Sequence, residues 1–421
     1  MSARTRPPLS DGPGMPVRTV DPIRLSIGGL IALAAAVGIG RFAYTPILPA
    51  MTADLDLTKS QAGMLASANL MGYLAGALGA SLPRLRGSHR GWLVASLAAS
   101  ALSTILMACA SDVVAFMALR FLGGLASAFV LVFASTVVLD RLAAMDRGTL
   151  SSVHFAGIGT GIFLSALLVN TLGDAGYHWR GLWLGVGLIA LLATPVVGAL
   201  VPSDAPTPPV SRGRRGLAPG RPLAALLAAY FLFGIGCAST ATFLVTIVRS
   251  MPDLRSAEPA IWLVVGLAAI PSVPLWTMLS RRIGVVQALG LALLAEAAGV
   301  AGIVVASGPV GAVAAAALLG GTFVPITALG IAAARSLATD NPRQVVALMT
   351  SSFGLGSIIA PAVAGALADA TGSFELPSYL AAGALTAAAA LSLAGRQPRP
   401  AEARPDAAGT IRPGFAPDPC C

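Results

Sequence analysis

The sequence predicts an all-α integral membrane protein of twelve transmembrane helices in two six-helix halves, with both termini in the cytoplasm. Three observations carry that expectation. Only 11% of the 421 residues are charged and 56% are apolar, whereas a soluble domain is about a quarter charged. Apolar runs of about 20 residues, the length that crosses a bilayer, follow one another along the chain. Short local patterns also return at a nearly constant separation of 196 or 197 residues.

The elements follow in order. Residues 1–23 form a polar, Pro-rich arm, expected to be disordered and cytoplasmic. It leaves Met1 and Met15 both open as the start. The run that follows is too long for a signal-peptide core, so the first helix is expected to stay uncleaved. Cutting at charged and Pro/Gly/Asp clusters places spans near 24–50, 61–82, 92–110, 113–139, 149–172 and 181–201. Residues 202–222, with Arg212, Arg214, Arg215 and Arg221 among prolines and glycines, read as a flexible basic linker. Six more spans fall near 223–248, 259–280, 286–306, 309–336, 345–368 and 377–395. The domain plan is therefore a first half over 24–201, a second over 223–396, and a disordered cytoplasmic tail over 397–421.

Charge fixes the orientation. With the amino terminus inside, cytoplasmic segments hold 21 Lys and Arg, against Lys59, Arg180, Arg249 and Arg255 outside, the asymmetry that sets topology in membrane proteins. The formal charge of +9 is thus explained by the connections between spans, and no nucleic-acid partner is expected. Cys109 and Cys237 lie in apolar runs and Cys420 and Cys421 end the chain, so no disulfide framework follows. The terminal pair lacks the four-residue prenylation signal.

The repeat is specific to corresponding spans. Gly38-Ile39-Gly40 returns as Gly234-Ile235-Gly236, Arg84-Leu85-Arg86-Gly87 answers Arg281-Arg282-Ile283-Gly284, Leu122-Gly123-Gly124 matches Leu319-Gly320-Gly321, and Gly157-Ile158-Gly159 matches Gly354-Leu355-Gly356. An even number of spans separates the copies, so the halves share one orientation. That is the parallel-repeat plan of a transporter class whose solute sites lie near the midplane between halves.

At this point the chain resembles the major facilitator superfamily, and within it the bacterial YbfB/YjiJ-like family. The resemblance is carried by Gly38-Ile39-Gly40-Arg41-Phe42-Ala43-Tyr44-Thr45-Pro46, His154-Phe155-Ala156-Gly157-Ile158-Gly159, Ala241-Thr242-Phe243-Leu244, Gly320-Gly321-Thr322-Phe323 with Ile326-Thr327-Ala328-Leu329-Gly330, and Phe353-Gly354-Leu355-Gly356. It implies a multi-pass protein of the bacterial inner membrane, with helices one, four, seven and ten lining a central cavity. It also implies that Arg120, Gly124 and Ala128 form the fourth helix's arginine and small-residue motif. The superfamily's cytoplasmic motif between helices two and three normally carries an Asp, but residues 79–90 hold Pro83 near that place and no acid.

Within this frame Arg41 and Arg120 are the main candidates, since an arginine inside a span costs about 2.5–3.5 kcal/mol on insertion scales. Facing the cavity, they would offer two guanidinium forks to a carboxylate or phosphate. As structural ties, they would donate to backbone carbonyls or snorkel to the outer interface. Tyr44, Tyr230, Thr240, Thr242, Thr322 and Thr327 are candidate cavity groups on helices one, seven and ten. His154 and Glu296 are the candidate proton carriers. The resemblance puts Glu296 on a peripheral helix, where a protonated structural carboxyl is the competing reading. Gly38, Gly40, Gly124, Gly157, Gly159, Gly234, Gly236, Gly321, Gly354 and Gly356 are expected where helix backbones approach closely. Pro46, Pro49, Pro325 and Pro361 are expected at bends.

The expected function is secondary active transport of a small solute, an organic anion, by alternating access with proton coupling, in a monomer. A multidrug exporter is the alternative within transport, and a sensor or scaffold on the same fold the alternative outside it. No cofactor or metal is expected. The chain lacks Gly-x-x-x-x-Gly-Lys-Ser/Thr and His-Glu-x-x-His, and its three histidines are far apart. Gly38-x-Gly40-x-x-Ala43 imitates a dinucleotide fingerprint but lies inside a long apolar helix, where no strand precedes it. An enzyme would need clustered acids or histidines, which the spans do not supply.

Overall fold

The computed structural model describes residues 21–81, 87–203, 220–337 and 342–394, and these are helical throughout apart from short connections. The amino-terminal arm up to residue 20, the basic turn at 82–86, linker residues 204–219 and the tail from 395 lie outside the described residues. Fourteen α-helices are described: α1 Pro22–Leu33, α2 Tyr44–Leu55, α3 Lys59–Ala80, α4 His89–Leu106, α5 Val113–Ala144, α6 Ser151–Asp174 and α7 Trp179–Leu200 come before the linker. After it come α8 Arg221–Ser250, α9 Glu258–Ala269, α10 Ser272–Ile283, α11 Val285–Val305, α12 Pro309–Leu337, α13 Pro342–Thr371 and α14 Glu375–Ala394. Among the described residues, nine helices are long and apolar enough to cross a membrane when Pro22–Leu55 counts as one, or ten if the bent pair α9–α10 is a single span.

Local chemistry explains the ends. Asp21 caps α1, accepting from Ile23 N at 2.9 Å ahead of Pro22 in the first turn. Thr58 and Gln61 form a reciprocal capping box at α3. Ser88 and Asp112 cap α4 and α5. Outward faces carry large apolar side chains such as Leu192 and Leu275, 69% and 59% exposed, as a surface in contact with lipid requires.

Two breaks differ from the expected single rods. In the first, the helix widens into a π-helical stretch over Ala34–Ile39 and opens at residues 40–43 before α2 starts. The amides of Gly40 and Phe42 reach back five residues, to Ala35 O and Val37 O, at 2.9 and 3.3 Å. Pro46 is therefore not the bend: it sits in the first turn of α2, where proline is tolerated. In the second, α9 and α10 meet at 50° around Ile270 and Pro271. Pro325 and Pro361, by contrast, lie inside the continuous helices α12 and α13.

Helix packing carries the imprint of the repeat. α3 packs along α13, and α6 packs along α9. Shifting by 197 residues turns the α3 segment into α9–α10 and α13 into α6, so the two contacts exchange. Between α2 and α8, Thr45 Oγ1 donates to Ala241 O at 2.6 Å, a pair separated by 196 residues. At one end of the α3–α13 contact, Asp369 accepts from the amides of Lys59 and Ser60 at 3.1 and 2.8 Å. Lys59 Nζ returns to the carbonyls of Ala368 and Gly372 at 2.9 and 3.2 Å.

The glycines sit at these contacts. A Cβ on Gly38 would run into the Gly161 backbone of α6, and one on Gly157 into Leu30 O of α1. Gly124 meets Asn69 O, Gly159 the α9–α10 junction, Gly234 Phe353 O, and Gly356 Phe231 O. Gly40 is tight against Ser100 Oγ and its own helix, Gly236 against α14, and Gly354 against the Leu74 side chain. Gly321 departs from expectation: nothing lies within 4 Å of where its Cβ would be, and the packed glycine is its neighbour Gly320, against Val265 O. The two share a dipeptide but point to different sides of α12.

Candidate functional site

The sequence candidates separate into two pockets. The first forms around the break between α1 and α2. Opening the helix at residues 40–43 frees carbonyls that have no partner in their own helix. Arg120 of α5, 5% exposed, donates to two of them, Gly40 O at 3.4 Å and Arg41 O at 3.3 Å. Its guanidinium carbon lies 4.6 Å from the Tyr44 ring centroid, a cation–π contact. Asn69 Nδ2 holds the Arg120 carbonyl at 2.8 Å, and the Tyr44 hydroxyl donates to Ala62 O at 2.8 Å. A cavity of about 170 Å³ beside these groups is lined by Gly40, Asn69, Ser103, Arg120 and Trp183 among others.

Arg41 sits in the same break and is used differently. Its guanidinium carbon lies over the rings of Tyr73 and Phe42, 4.6 and 5.2 Å from their centroids. The guanidinium makes no hydrogen bond or ion pair among the described residues, so its fork of donors lies against ring faces and is left unengaged.

The second pocket is larger, with about 330 Å³ of open space between its walls. Phe42 contributes from the first break, and α8, α9, α11 and α12 supply the rest. Its walls are apolar and aromatic. Phe42 meets Trp262 with centroids 6.2 Å apart and Phe323 at 5.9 Å, the latter edge-on. Three polar side chains reach it. Thr240 already donates to Gly236 O at 2.9 Å. Glu296, 1% exposed, has Cys237 and Thr322 within hydrogen-bonding reach but leaves Oε2 without a partner. The indole Nε1 of Trp262, 3% exposed, is likewise unpartnered. Arg41 is close enough to act electrostatically on Cys237, which lines the same cavity.

Other candidates are placed elsewhere. Tyr230 ties α8 to α12, its hydroxyl donating to Ile326 O and Thr327 O at 3.1 and 2.6 Å. Thr242 donates to Ala238 O at 2.7 Å and Thr327 to Phe323 O at 3.4 Å, and neither lines the two pockets. His154 is fully buried between α1, α5 and α6, with Nε2 3.2 Å from Ser135 Oγ and Nδ1 against Gly29. It lines neither pocket. Sequence reasoning did not single out Phe42, Tyr73, Asn69, Cys237, Trp262 and Phe323 as site residues. Phe42 and Phe323 stood inside the quoted motifs, but an aromatic ring in an apolar run ordinarily reads as packing.

A bundle of long apolar helices around a small central cavity defines a membrane transporter, and comparison with known proteins gives the family. The chain belongs to the family of the uncharacterised MFS-type transporter YbfB, whose model matches residues 33–393. It is 23% identical over 349 residues to the uncharacterised MFS-type transporter YceJ of Bacillus subtilis, covering 80% of this chain and 88% of that protein. Shorter matches reach the 4-hydroxybenzoate transporter PcaK of Pseudomonas aeruginosa, 29% identical over 172 residues (40% of this chain, 37% of PcaK). They also reach a gallate transporter of Pseudomonas putida, 27% identical over 163 residues (38% and 35%). A crystal structure of a variant of the nucleoside transporter NupG superposes with a TM-score of 0.68 at 13% identity, covering 89% of this chain and 100% of that one. This last likeness shows the fold.

Proposed function

We propose that this protein is a secondary active transporter of a small organic anion, an aromatic acid, which crosses by alternating access between two six-helix halves. In this reading α3, α4 and the α9–α10 pair also count as spans, giving twelve. The halves cover 24–201 and 223–396, joined by the cytoplasmic linker 202–222. Both termini face the cytoplasm of a bacterium, and the unit is a monomer in the inner membrane. The exchange of the α3–α13 and α6–α9 contacts under the repeat supports two like-oriented halves.

The observation that carries the anion is Arg41. Its charge is half-buried within a span at a cost, its side-chain donors are unengaged, and its chain neighbour Phe42 lines the larger cavity. Arg120, by contrast, is consumed by the freed carbonyls and serves as a tie. Aromatic cavity walls favour a ring-bearing anion, in keeping with the 4-hydroxybenzoate and gallate carried by the partial relatives. Glu296, an acid inside a span that reaches that cavity, is the residue assigned to the coupling proton.

The test is uptake of radiolabelled 4-hydroxybenzoate into proteoliposomes under an inward-directed proton gradient. Uptake should collapse when the gradient is dissipated. Arg41→Ala should raise the half-saturating concentration about 10–150-fold, the loss of one charge-assisted hydrogen-bond set worth about 1.5–3 kcal/mol. Normally inserted Arg41→Ala with unchanged affinity overturns the anion assignment, and a chain that moves no carboxylate overturns the whole reading.

A further inference from the structure

We infer that the cavity walled by Phe42, Trp262 and Phe323 is a subsite for a hydroxylated aromatic ring, its hydroxyl read by the Trp262 indole N–H and the free carboxyl oxygen of Glu296. The inference rests on the transporter reading above for its setting, but not on the solute being an anion.

Two residues that line this one cavity each carry an unpartnered side-chain polar atom, Trp262 Nε1 and Glu296 Oε2, and are 3% and 1% exposed. Buried polar atoms are rarely left unpaired, and such exceptions point to a group that arrives from outside. One atom is an obligate donor. The other is an oxygen that accepts whether the carboxyl is ionised or carries its proton on its other oxygen. The complement of one donor and one acceptor is a group that both accepts and donates, and a hydroxyl is the smallest that does so. An ammonium would satisfy Glu296 and strand the indole. A carboxylate would satisfy the indole and set oxygen against oxygen at Glu296, so a carboxylate on the same solute belongs at the Arg41 side. The remaining walls, Leu244, Val265 and Leu319 with the three rings, suit the face and edge of an aromatic solute.

The experiment compares matched probes by calorimetric titration of the purified, detergent-solubilised full chain. One pair is 4-hydroxybenzoate and benzoate, and the other is the uncharged pair 4-hydroxybenzamide and benzamide. A site built to hydrogen-bond a hydroxyl discriminates strongly against the analogue lacking it, so the hydroxylated member should bind at least about 100-fold tighter in wild type. Trp262→Phe and Glu296→Leu should each cut that preference to a few-fold. Glu296→Gln, which keeps an acceptor oxygen, should retain much of the preference. Equal binding of both members of both pairs by wild type overturns the inference. So do variants that weaken both members in proportion, the mark of a purely structural role. Discrimination in the uncharged pair together with no binding of either carboxylate would sustain the hydroxyl subsite and defeat the anion reading instead.

Discussion

Arg120 and Glu296 are both ionisable side chains buried in helices of membrane length, yet their surroundings are opposites. Arg120 faces two carbonyls released by the break in the first helix and a Tyr44 ring face, so both terminal nitrogens are met inside the protein and only Nε is left over. Glu296 has Cys237 and Thr322 close by, lines an apolar cavity, and keeps Oε2 without a partner. The lesson is that a buried charge marks a binding site only when its hydrogen-bonding capacity is left over. The same rule separates Arg120 from Arg41, whose guanidinium lies against ring faces at the helix break.

Substituting both residues with leucine is the severest test of that contrast. Arg120→Leu strands Gly40 O and Arg41 O, and each buried carbonyl left unmade costs about 1–3 kcal/mol. The variant should melt well below wild type in detergent and transport at the background rate. Glu296→Leu removes a half-satisfied carboxyl and fills its volume with apolar atoms, a replacement that is often neutral or stabilising. It should melt at or above the wild-type temperature while transport is lost as completely. Equal destabilisation of the two variants, read by thermal melting of the purified proteins, would break the distinction.

The fold was legible where one physical signal dominated. Apolar runs placed the helices to within a few residues, since the bilayer sets their length; that Thr45 and Ala241, 196 residues apart, are partners across the bundle was not implied by the repeat spacing. Neither break was legible. The opening at residues 40–43 comes from π-helical winding against α6 and is held by Arg120, 79 residues away from the Arg41 carbonyl it meets. Pro46 offered the only local cue and lies after the break. At α9–α10 the Pro271 and Pro274 pair was a cue left unused. The site was half visible: Arg41 and Glu296 stood out as charges in apolar runs, but Trp262 could not, because an indole inside a span becomes informative only when its N–H is found without an acceptor. The repeat explains this unevenness. At the corresponding offset Arg41 faces Cys237, Trp262 faces Leu65 and Glu296 faces Ala99, so the site gathers where the two copies have diverged.

A smaller effect sharpens the comparison from outside both pockets. Asp369 and Lys59 bind α13 to the start of α3 by four hydrogen bonds at one end of the bundle. These groups are partly exposed, where solvent screening weakens charge interactions, so the contact is expected to influence opening at that end more than overall stability. Asp369→Ala should leave melting within about two degrees of wild type. It should increase the labelling rate of a cysteine placed at Ser60 by several-fold, because that end of the contact opens more often. A large drop in melting temperature with no change in labelling would make the contact part of the packed core instead.

The smallest predicted effect lies in the Gly320-Gly321 pair, which separates the packing reading of glycine from the motif reading. Gly320→Ala drives a Cβ into Val265 O on the helix that carries Trp262, so it must push α9 and α12 apart or shift the cavity wall. Overpacking of this kind costs about 1–3 kcal/mol. Gly321→Ala meets nothing within 4 Å and replaces the poorest ordinary helix former with the best, a gain of up to about 1 kcal/mol. Melting curves of the two single variants should therefore move in opposite directions, with transport impaired only in Gly320→Ala. If both alanines destabilise alike, Gly321 is held by a contact that this conformation does not contain. The pair would then report on motion at α12 as well as on packing.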